Sequence, residues 1–84
     1  MPFFCYLVQC NDGSLYCGWT TDPLRRTAAH NSGRGAVYTR LHRPVTLVYQ
    51  EQMPDRASAM RRELQIKKLT HTQKLHLVQG ATGD

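Results

Sequence analysis

A β-hairpin pattern near the start of the chain constrains the fold more than any other feature of the sequence. Two segments rich in strand-forming residues, Phe3 to Gln9 and Ser14 to Trp19, flank the loop-like tripeptide Asn11-Asp12-Gly13. Such a pattern is typical of two antiparallel strands joined by a short turn. We therefore predict a strand, a turn and a second strand in the first twenty residues.

The length of this loop decides where two tyrosines lie. Glycine at the end of a three-residue loop suits the left-handed position of a G1 bulge, so we predict that Cys10 opposes Ser14. Because alternate residues of a strand share a face, that odd-numbered loop puts Tyr6 and Tyr16 on one side of the hairpin. A two-residue turn would separate them. Packing alone is the simpler interpretation of two strand tyrosines.

A helix and a third strand are predicted after the hairpin. Asp22 followed by Pro23 is typical of an N-cap and a first helical residue, and we expect the helix to run to about Ser32, before Gly33. A long charged loop follows. The apolar run Val45 to Tyr49 then suits a strand.

Two more helices are predicted in the last third of the chain. Asp55 can cap a helix that runs to about Leu69, and Thr70 to Gln73 matches a capping box that opens a last helix ending near Gly80. The first of them shows an apolar stripe at helical spacing, which we expect to be buried: Ala57, Met60 and Leu64. The order of elements indicates an α+β fold, with a small three-stranded antiparallel sheet flanked by three α-helices.

Size, charge and cysteine content narrow the class of protein. A chain of 84 residues suits one domain, which we place at residues 1–84 with a core over 3–79. The net charge of +5 favours an anionic partner such as nucleic acid. No apolar run approaches the roughly 20 residues of a membrane span, and no export signal is recognisable. Three cysteines, an odd number, favour a reducing compartment, so we expect a cytoplasmic protein.

Arg26 and His30 are candidate phosphate-binding residues. They are four residues apart on the first predicted helix and project from one face, away from Leu24 and Ala28. A guanidinium beside an imidazole can grip a phosphate and exchange a proton. Two solvated side chains are the alternative interpretation.

Glu63 is a candidate metal ligand. On the residues alone, its simplest role is an ion pair with Lys67 one turn later. Around the helix axis, Glu63 also lies beside the predicted apolar stripe. Its carboxylate can therefore reach the rim of the sheet. Mg²⁺ often takes one or two carboxylates and completes its shell with water and phosphate oxygens, so a single acid can suffice.

Other common sites are not indicated. No Cys-x-x-Cys occurs, and Cys5 and Cys10 differ in strand parity, which argues against structural zinc. The glycine-arginine segment Ser32 to Ala36 lacks the lysine of a phosphate loop, although Arg34 and its backbone N–H groups can line a phosphate track.

The order of these features along the chain resembles the GIY-YIG nuclease superfamily, in its small stand-alone branch. Tyr16-Cys17-Gly18 resembles the second signature tripeptide of the family. Phe4-Cys5-Tyr6 resembles the first, although only its tyrosine matches. The segment Thr21 to Arg26 with His30 resembles the family's active-site helix, and Arg62-Glu63 resembles its metal-ligand segment. Cys5 and Cys17 depart from the usual small or branched residues, and Trp19 stands where some repair nucleases of the family have lysine.

The resemblance implies a metal-dependent endonuclease-type domain that hydrolyses phosphodiester bonds, we expect of DNA, in a context such as repair or recombination. The cofactor it implies is Mg²⁺ or another divalent cation such as Mn²⁺, held by Glu63. The residues it implies for catalysis are expected to converge over one sheet face: Tyr6, Tyr16, Arg26, His30 and Glu63. A tyrosine with a pKa near 10 is only about 0.1% ionised at neutral pH, so as a base it would need cationic neighbours.

Two alternatives to a nuclease remain open at this stage. A non-catalytic nucleic-acid-binding module would keep the scaffold and use its exposed basic and aromatic side chains for phosphates and bases: Arg34, Arg40 and Arg43, with Tyr38 or Trp19 for stacking. A helix-turn-helix-like module from the last two helices has weaker support. Nucleic acid is the expected partner of the nuclease and of the first alternative, without a membrane. The helix-turn-helix-like module would read duplex DNA or contact a protein, and the sequence does not identify a protein that targets the domain.

Overall fold

The fold consists of three strands and four helices in the part of the chain that the computed structural model describes, residues 2–82. The strands are β1 (Phe3–Gln9), β2 (Leu15–Thr20) and β3 (Thr46–Met53). The helices are α1 (Pro23–Asn31), α2 (Val37–Leu41), α3 (Arg56–Lys67) and α4 (His71–Thr82). None of the helices within residues 2–82 is long and apolar enough to cross a bilayer.

The sheet is antiparallel throughout, with strand order β2-β1-β3, so β2 forms one edge. The predicted three-residue loop is confirmed: the Cys10 N–H donates to the Ser14 carbonyl at 2.8 Å. Gly13 has a φ of +87°, the left-handed conformation that a G1 bulge requires. In this register Tyr6 and Tyr16 lie on the same face, as expected.

The two faces of the sheet bury different clusters. One face packs against α3 and α4 through an apolar core: Cys5, Leu7, Leu15, Cys17, Ala59 and Ile66. The other face carries a second, smaller cluster on the side of α1: Tyr6, Val8, Cys10 and Val45. Cys5 and Cys10 thus lie on opposite faces, as the parity of β1 predicts.

The predicted helix caps are confirmed. Asp22 accepts from the Arg25 N–H at 3.1 Å and Asp55 from the Ser58 N–H at 2.7 Å. At the start of α4, the Thr70 N–H donates to the Gln73 side chain at 2.9 Å, and the Gln73 N–H donates to the Thr70 hydroxyl at 3.2 Å. This reciprocal pair is a capping box.

The predicted buried stripe of α3 is wrong. Met60 and Leu64 are 47% and 59% exposed, and Ala57 is exposed as well. The helix instead buries Ala59 and Ile66 completely. Periodicity fixed the spacing of the apolar residues but not which of two rows faces the sheet, and the row that includes Ile66 fits the groove above β1 and β2.

Two further elements differ from the prediction. The segment expected as loop contains the short helix α2, whose N-cap Ala36 makes no side-chain cap, so no local signal marks its start. Its Thr39 is completely buried, and tertiary contacts therefore hold it. The third strand runs on to Met53 because it pairs with central β1 along its length, although the extension includes the polar residues Gln50 and Gln52.

We expect Ile66→Ala to lower the free energy of unfolding by about 2–5 kcal/mol, because it opens a cavity under the sheet. Leu64→Ala, two positions away on the exposed face, should change it by about 0.5 kcal/mol or less. Urea unfolding of both variants measures the difference, with Ile66→Val as the milder change if Ile66→Ala does not fold. Equal losses at the two positions would contradict the assigned face.

Candidate active site

An open cleft of about 550 Å³ lies at the β2 edge of the sheet, between α1 on one face and α3 on the other. Its lining includes residues from both central and edge strands and from both helices: Tyr6, Tyr16, Gly18, Arg26, Arg56 and Glu63. Four of the five residues expected to converge therefore meet here. They meet around the edge strand and not over one face, because Glu63 arrives from the helix on the opposite side of the sheet.

Gly18 opens the path from the central strand to the cleft. It pairs with Tyr6 in the β1–β2 ladder, and a Cβ atom at position 18 would lie 2.5 Å from the Tyr6 hydroxyl oxygen. Any side chain here would therefore displace the phenol. The glycine lets a ring from the middle of the sheet reach a surface cleft while the ring itself stays 1% exposed.

His30 lies behind Tyr6 and is completely buried. Its Nε2 is 2.8 Å from the Tyr6 hydroxyl and its Nδ1 is 2.7 Å from the Thr39 hydroxyl. The Thr39 hydroxyl donates its proton to the Ala36 carbonyl at 2.9 Å, so it can only accept from His30. In neutral His30 the proton must then be on Nδ1, and Nε2 accepts the proton of Tyr6.

The expectation that Arg26 and His30 grip one phosphate from a shared exposed face is wrong for His30. Both ring nitrogens have protein partners and the ring does not line the cleft. Arg26 does line it, and its guanidinium interacts with the Tyr6 hydroxyl. The helix period placed the two side chains near each other, but only packing decided that one of them lies inside the core.

The two tyrosines differ in environment. Burial raises the pKa of Tyr6 to about 12, although Arg26 acts in the opposite direction. Arg26 thus does not produce the lowered pKa that a tyrosine base would need at this position. Tyr16 is partly exposed, its ring meets the edge of His30 at 5.6 Å, and its hydroxyl has no hydrogen-bond partner among the described residues. Its hydroxyl is available to a ligand in the cleft.

Glu63 lies on the sheet side of α3, between the buried residues Ala59 and Ile66. Its side chain is 19% exposed, and Oε2 is 3.6 Å from the Lys67 ammonium. Both interpretations of Glu63 therefore hold together: it pairs with Lys67 and it reaches the rim of the cleft.

Two thiols of the sheet contact backbone carbonyls of α3. The Cys5 thiol donates to the Ala59 carbonyl at 3.1 Å, and the Cys17 thiol points to the Glu63 carbonyl one turn later, at 3.9 Å. Burial raises the pKa of Cys5 to about 11 and that of Cys17 to about 12, so both thiols keep the proton they donate. Cys5 and Cys17, which depart from the family pattern, thus both contact the helix that carries Glu63.

Arg62, next to Glu63, binds Glu51 of β3 through its Nε, and Glu51 also accepts from the Tyr49 hydroxyl. This cluster fixes the rotation of α3 about its axis. Because Arg62 and Glu63 are adjacent and project about 100° apart, holding Arg62 toward β3 directs Glu63 toward β2.

The residues expected to contact nucleic acid lie in three places. Trp19 is at the cleft, against Phe3 and with the Arg56 guanidinium 5.7 Å from its ring centre. Tyr38 is 41% exposed, but one ring face is stacked on His42 at 4.2 Å, which limits base stacking there. The three arginines are exposed and lie outside the cleft: Arg34, Arg40 and Arg43.

Sequence reasoning missed three residues that shape the site. Thr39 sets the tautomer of His30, and no local pattern marks it. Gly35 packs against His30 so closely that a Cβ atom would collide with the imidazole and with the His30 backbone. Arg56 lines the cleft from the first turn of α3. Gly35 belongs to the glycine-arginine segment, which the sequence indicates as a phosphate track and which the structure packs against His30.

We expect stability to fall as the pH drops below about 6.5, because burial, and next the Arg26 charge, lower the pKa of His30 below its usual 6.5. The unfolded chain then binds a proton that the folded chain does not, so this contribution is complete above the unfolded pKa and is lost toward the folded pKa. Urea unfolding midpoints, measured between about pH 7.5 and about pH 5.5, give the slope of stability against pH.

The control for this pH dependence is a histidine on the surface. His71→Gln should keep the slope, whereas His30→Gln should reduce it. Imidazole ¹⁵N shifts should show His30 protonated on Nδ1 alone at neutral pH. A protonated Nε2 would contradict the tautomer.

Comparison with known proteins shows the family of the chain. The family model of the GIY-YIG catalytic domain matches residues 2–76. The chain is 50% identical over 76 residues to a UPF0213 protein of Staphylococcus epidermidis, covering 90% of this chain and 93% of the relative, and 49% identical over 76 residues to one of Staphylococcus haemolyticus, with the same coverage.

Two solution NMR structures are also similar. A UPF0213 protein from Bacillus halodurans has a TM-score of 0.58 and 44% identity, covering 93% of this chain and 83% of that one. A protein from E. faecalis has a TM-score of 0.59 and 45% identity, covering 88% and 79%. With the family model matching residues 2–76, the chain belongs to the family of GIY-YIG catalytic domains.

Proposed function

We propose that this protein is an endonuclease that hydrolyses phosphodiester bonds of DNA with the help of a divalent cation at Glu63. The observation that carries the proposal is the meeting of Tyr6, Tyr16, Arg26 and Glu63 in one cleft, from four different secondary-structure elements. Nothing in the packing of a small core requires a guanidinium, two phenols and a carboxylate to face one opening. Such a set suits a phosphate and an attacking water.

The use of acidic residues supports a special role for Glu63. Among residues 2–82, the other four acids each accept structural hydrogen bonds, at the hairpin loop, at two helix caps and at Arg62: Asp12, Asp22, Asp55 and Glu51. Glu63 has only the 3.6 Å ion pair with Lys67. Its carboxylate therefore keeps most of its acceptor capacity for a ligand.

The donor set in the cleft fits a hard cation better than a soft one. No group of three or more His, Cys, Asp and Glu residues that could hold a metal ion occurs within residues 2–82. An all-protein cage is thus not offered, but Mg²⁺ usually keeps several waters and needs only one or two carboxylates together with phosphate oxygens. Glu63 would hold such an ion, and GIY-YIG nucleases generally use divalent metals. The bound cation would supply stabilisation of the charge that develops on phosphate oxygens.

The side chains of the cleft bind the phosphate and orient the attacking water. Arg26 binds a non-bridging phosphate oxygen, and Tyr6 holds that guanidinium in place with its oxygen lone pairs, since its proton is donated to His30. Tyr16, whose hydroxyl is unpartnered among the described residues, orients the attacking water. As the water oxygen bonds to phosphorus it releases one proton to solvent, the phosphorus–oxygen bond to the leaving sugar breaks, and the leaving oxygen takes up one proton from solvent.

We expect Glu63→Gln to reduce the cleavage rate by about 100-fold or more, because several kcal/mol of charge stabilisation depend on this carboxylate. Lys67→Met is the matched control: it removes the ion pair, and with it the ammonium 5.9 Å from the Tyr16 ring centre, but leaves the carboxylate. If Glu63 served only as a partner for Lys67, the two variants would behave alike. Nicking of supercoiled plasmid with Mg²⁺ measures both rates, and gel-shift binding should persist in Glu63→Gln.

The same assay tests the alternative of a non-catalytic binding module. A parent protein that binds DNA with a steep salt dependence, but yields no product with any divalent cation, would support that alternative and end the proposal of a nuclease.

We expect substitution of the two tyrosines to affect cleavage rate and stability differently. Tyr16→Phe should lower the cleavage rate while the free energy of unfolding changes by about 0.5 kcal/mol or less, because its hydroxyl has no protein partner. Tyr6→Phe should also cost about 1–3 kcal/mol of stability, because it leaves the buried Nε2 of His30 without a donor. Single-turnover cleavage and urea unfolding separate the two effects, and an equally destabilised Tyr16→Phe would contradict the assignment.

A further inference from the structure

A second hollow, of about 470 Å³, lies where α1 and α2 end. Its lining contains two arginines and no acidic residue: Asn31, Arg40, Leu41, Arg43 and Pro44. None of these residues lines the cleft that contains Glu63. We call this second site the arginine hollow.

Arg43 is held rigidly in this hollow. Its Nε donates to the Arg40 carbonyl at 3.1 Å and its Nη1 to the Asn31 carbonyl at 3.3 Å. These carbonyls belong to the last turns of α2 and α1, so one guanidinium caps both helices. Gly33, with a φ of +88°, leaves room for it, because a Cβ atom there would lie 3.0 Å from Nη1. The remaining Nη2 is therefore a fixed donor whose orientation costs little entropy on binding.

Arg40 is the complementary case. It is exposed, and its side chain makes no hydrogen bond or ion pair with the described residues. Packing does not need its guanidinium, yet this group lines the same hollow as the fixed Arg43. One anchored and one free guanidinium around a concave surface can bind an anion from two sides.

The segment that contains the hollow is basic. From residue 23 to residue 50 the sequence contains no aspartate or glutamate but five arginines: Arg25, Arg26, Arg34, Arg40 and Arg43. The lining offers no Asp, Glu, His or Cys for a cation. With two guanidinium groups in its lining, the hollow fits an anion with several acceptor oxygens.

We propose that the arginine hollow binds a backbone phosphate of the nucleic-acid strand whose scissile phosphate lies in the main cleft. The inference rests on the proposed function. Arg26 and Asn31 are five residues apart on α1, about 7.5 Å along its axis and about 140° around it, so a strand that reaches both sites passes around the end of this helix and presents a different phosphate to each. The hollow would thus position the substrate and give the isolated chain affinity for DNA.

The test compares Arg40→Ala with Arg61→Ala, an exposed arginine on α3 that lines neither site. Both are placed in a Glu63→Gln background, so that a short DNA duplex is bound but not cut. For Arg40→Ala we expect about 10-fold weaker binding at low salt and a slope of log K against log salt reduced by about 0.9, the value for one lost phosphate contact. Arg40→Lys should keep most of the slope, and Arg61→Ala should leave it unchanged.

Equal slopes for Arg40→Ala and Arg61→Ala would overturn the proposal, whether or not the parent cuts DNA. A parent that never cuts, together with a reduced slope for Arg40→Ala, would end the nuclease proposal but retain the hollow as a phosphate site. Titration with inorganic phosphate, followed by arginine ¹⁵Nε shifts, distinguishes the source of the anion. Shifts at Arg40 and Arg43 without any effect of Arg40→Ala on DNA binding would indicate a free-anion site and would overturn the role in strand binding.

Discussion

The position of β2 at the edge of the sheet is the constraint on which the candidate site depends. Arg26 and Glu63 are carried by helices on opposite faces, and side chains from opposite faces of a sheet can meet only around an edge. Tyr6 starts on the central strand and reaches that edge because Gly18 has no side chain. If β1 were the edge strand, or if position 18 carried a Cβ atom, the guanidinium, phenol and carboxylate would not face one opening.

A polar network takes the place of apolar packing behind this cleft. Tyr6, His30 and Thr39 form a line of hydrogen bonds that ends at the Ala36 carbonyl, and within residues 2–82 no buried side-chain nitrogen or oxygen is left without a partner. Buried polar groups are costly unless all of them are satisfied, so each member restricts the others. The consequence is a single orientation of the Tyr6 hydroxyl, with its proton directed inward and its lone pairs toward Arg26.

Acidic and basic side chains are used in different parts of the structure. Four acids are used at a hairpin loop, at helix caps and at Arg62, where they fix local structure, and residues 23–50 contain five arginines and no acid. Arg43 shows that an exposed cation can also have a structural role, because it caps α1 and α2 together. In a chain with so small a core, one residue can thus stabilise two helix ends and still present a donor to a ligand.

The sequence by itself determined the features that depend on near neighbours in the chain. The three-residue loop set the register of β1 and β2 and so the shared face of Tyr6 and Tyr16, and side-chain caps marked the starts of α1, α3 and α4, because turn and cap chemistry act over three or four residues. Resemblance to a family then implied that Arg26 and Glu63 act in one site with these tyrosines.

Only the tertiary structure decided which row of α3 is buried, that His30 lies in the core, that Thr39 and Gly35 shape its surroundings, and that α2 exists at all. These outcomes depend on competition between alternative packings of whole elements against the sheet, and helical spacing is the same for a row that faces the core and for one that faces water. Leu64 and Ile66 differ little in hydrophobicity, yet the fit of α3 over β1 and β2 buries Ile66 and leaves Leu64 exposed.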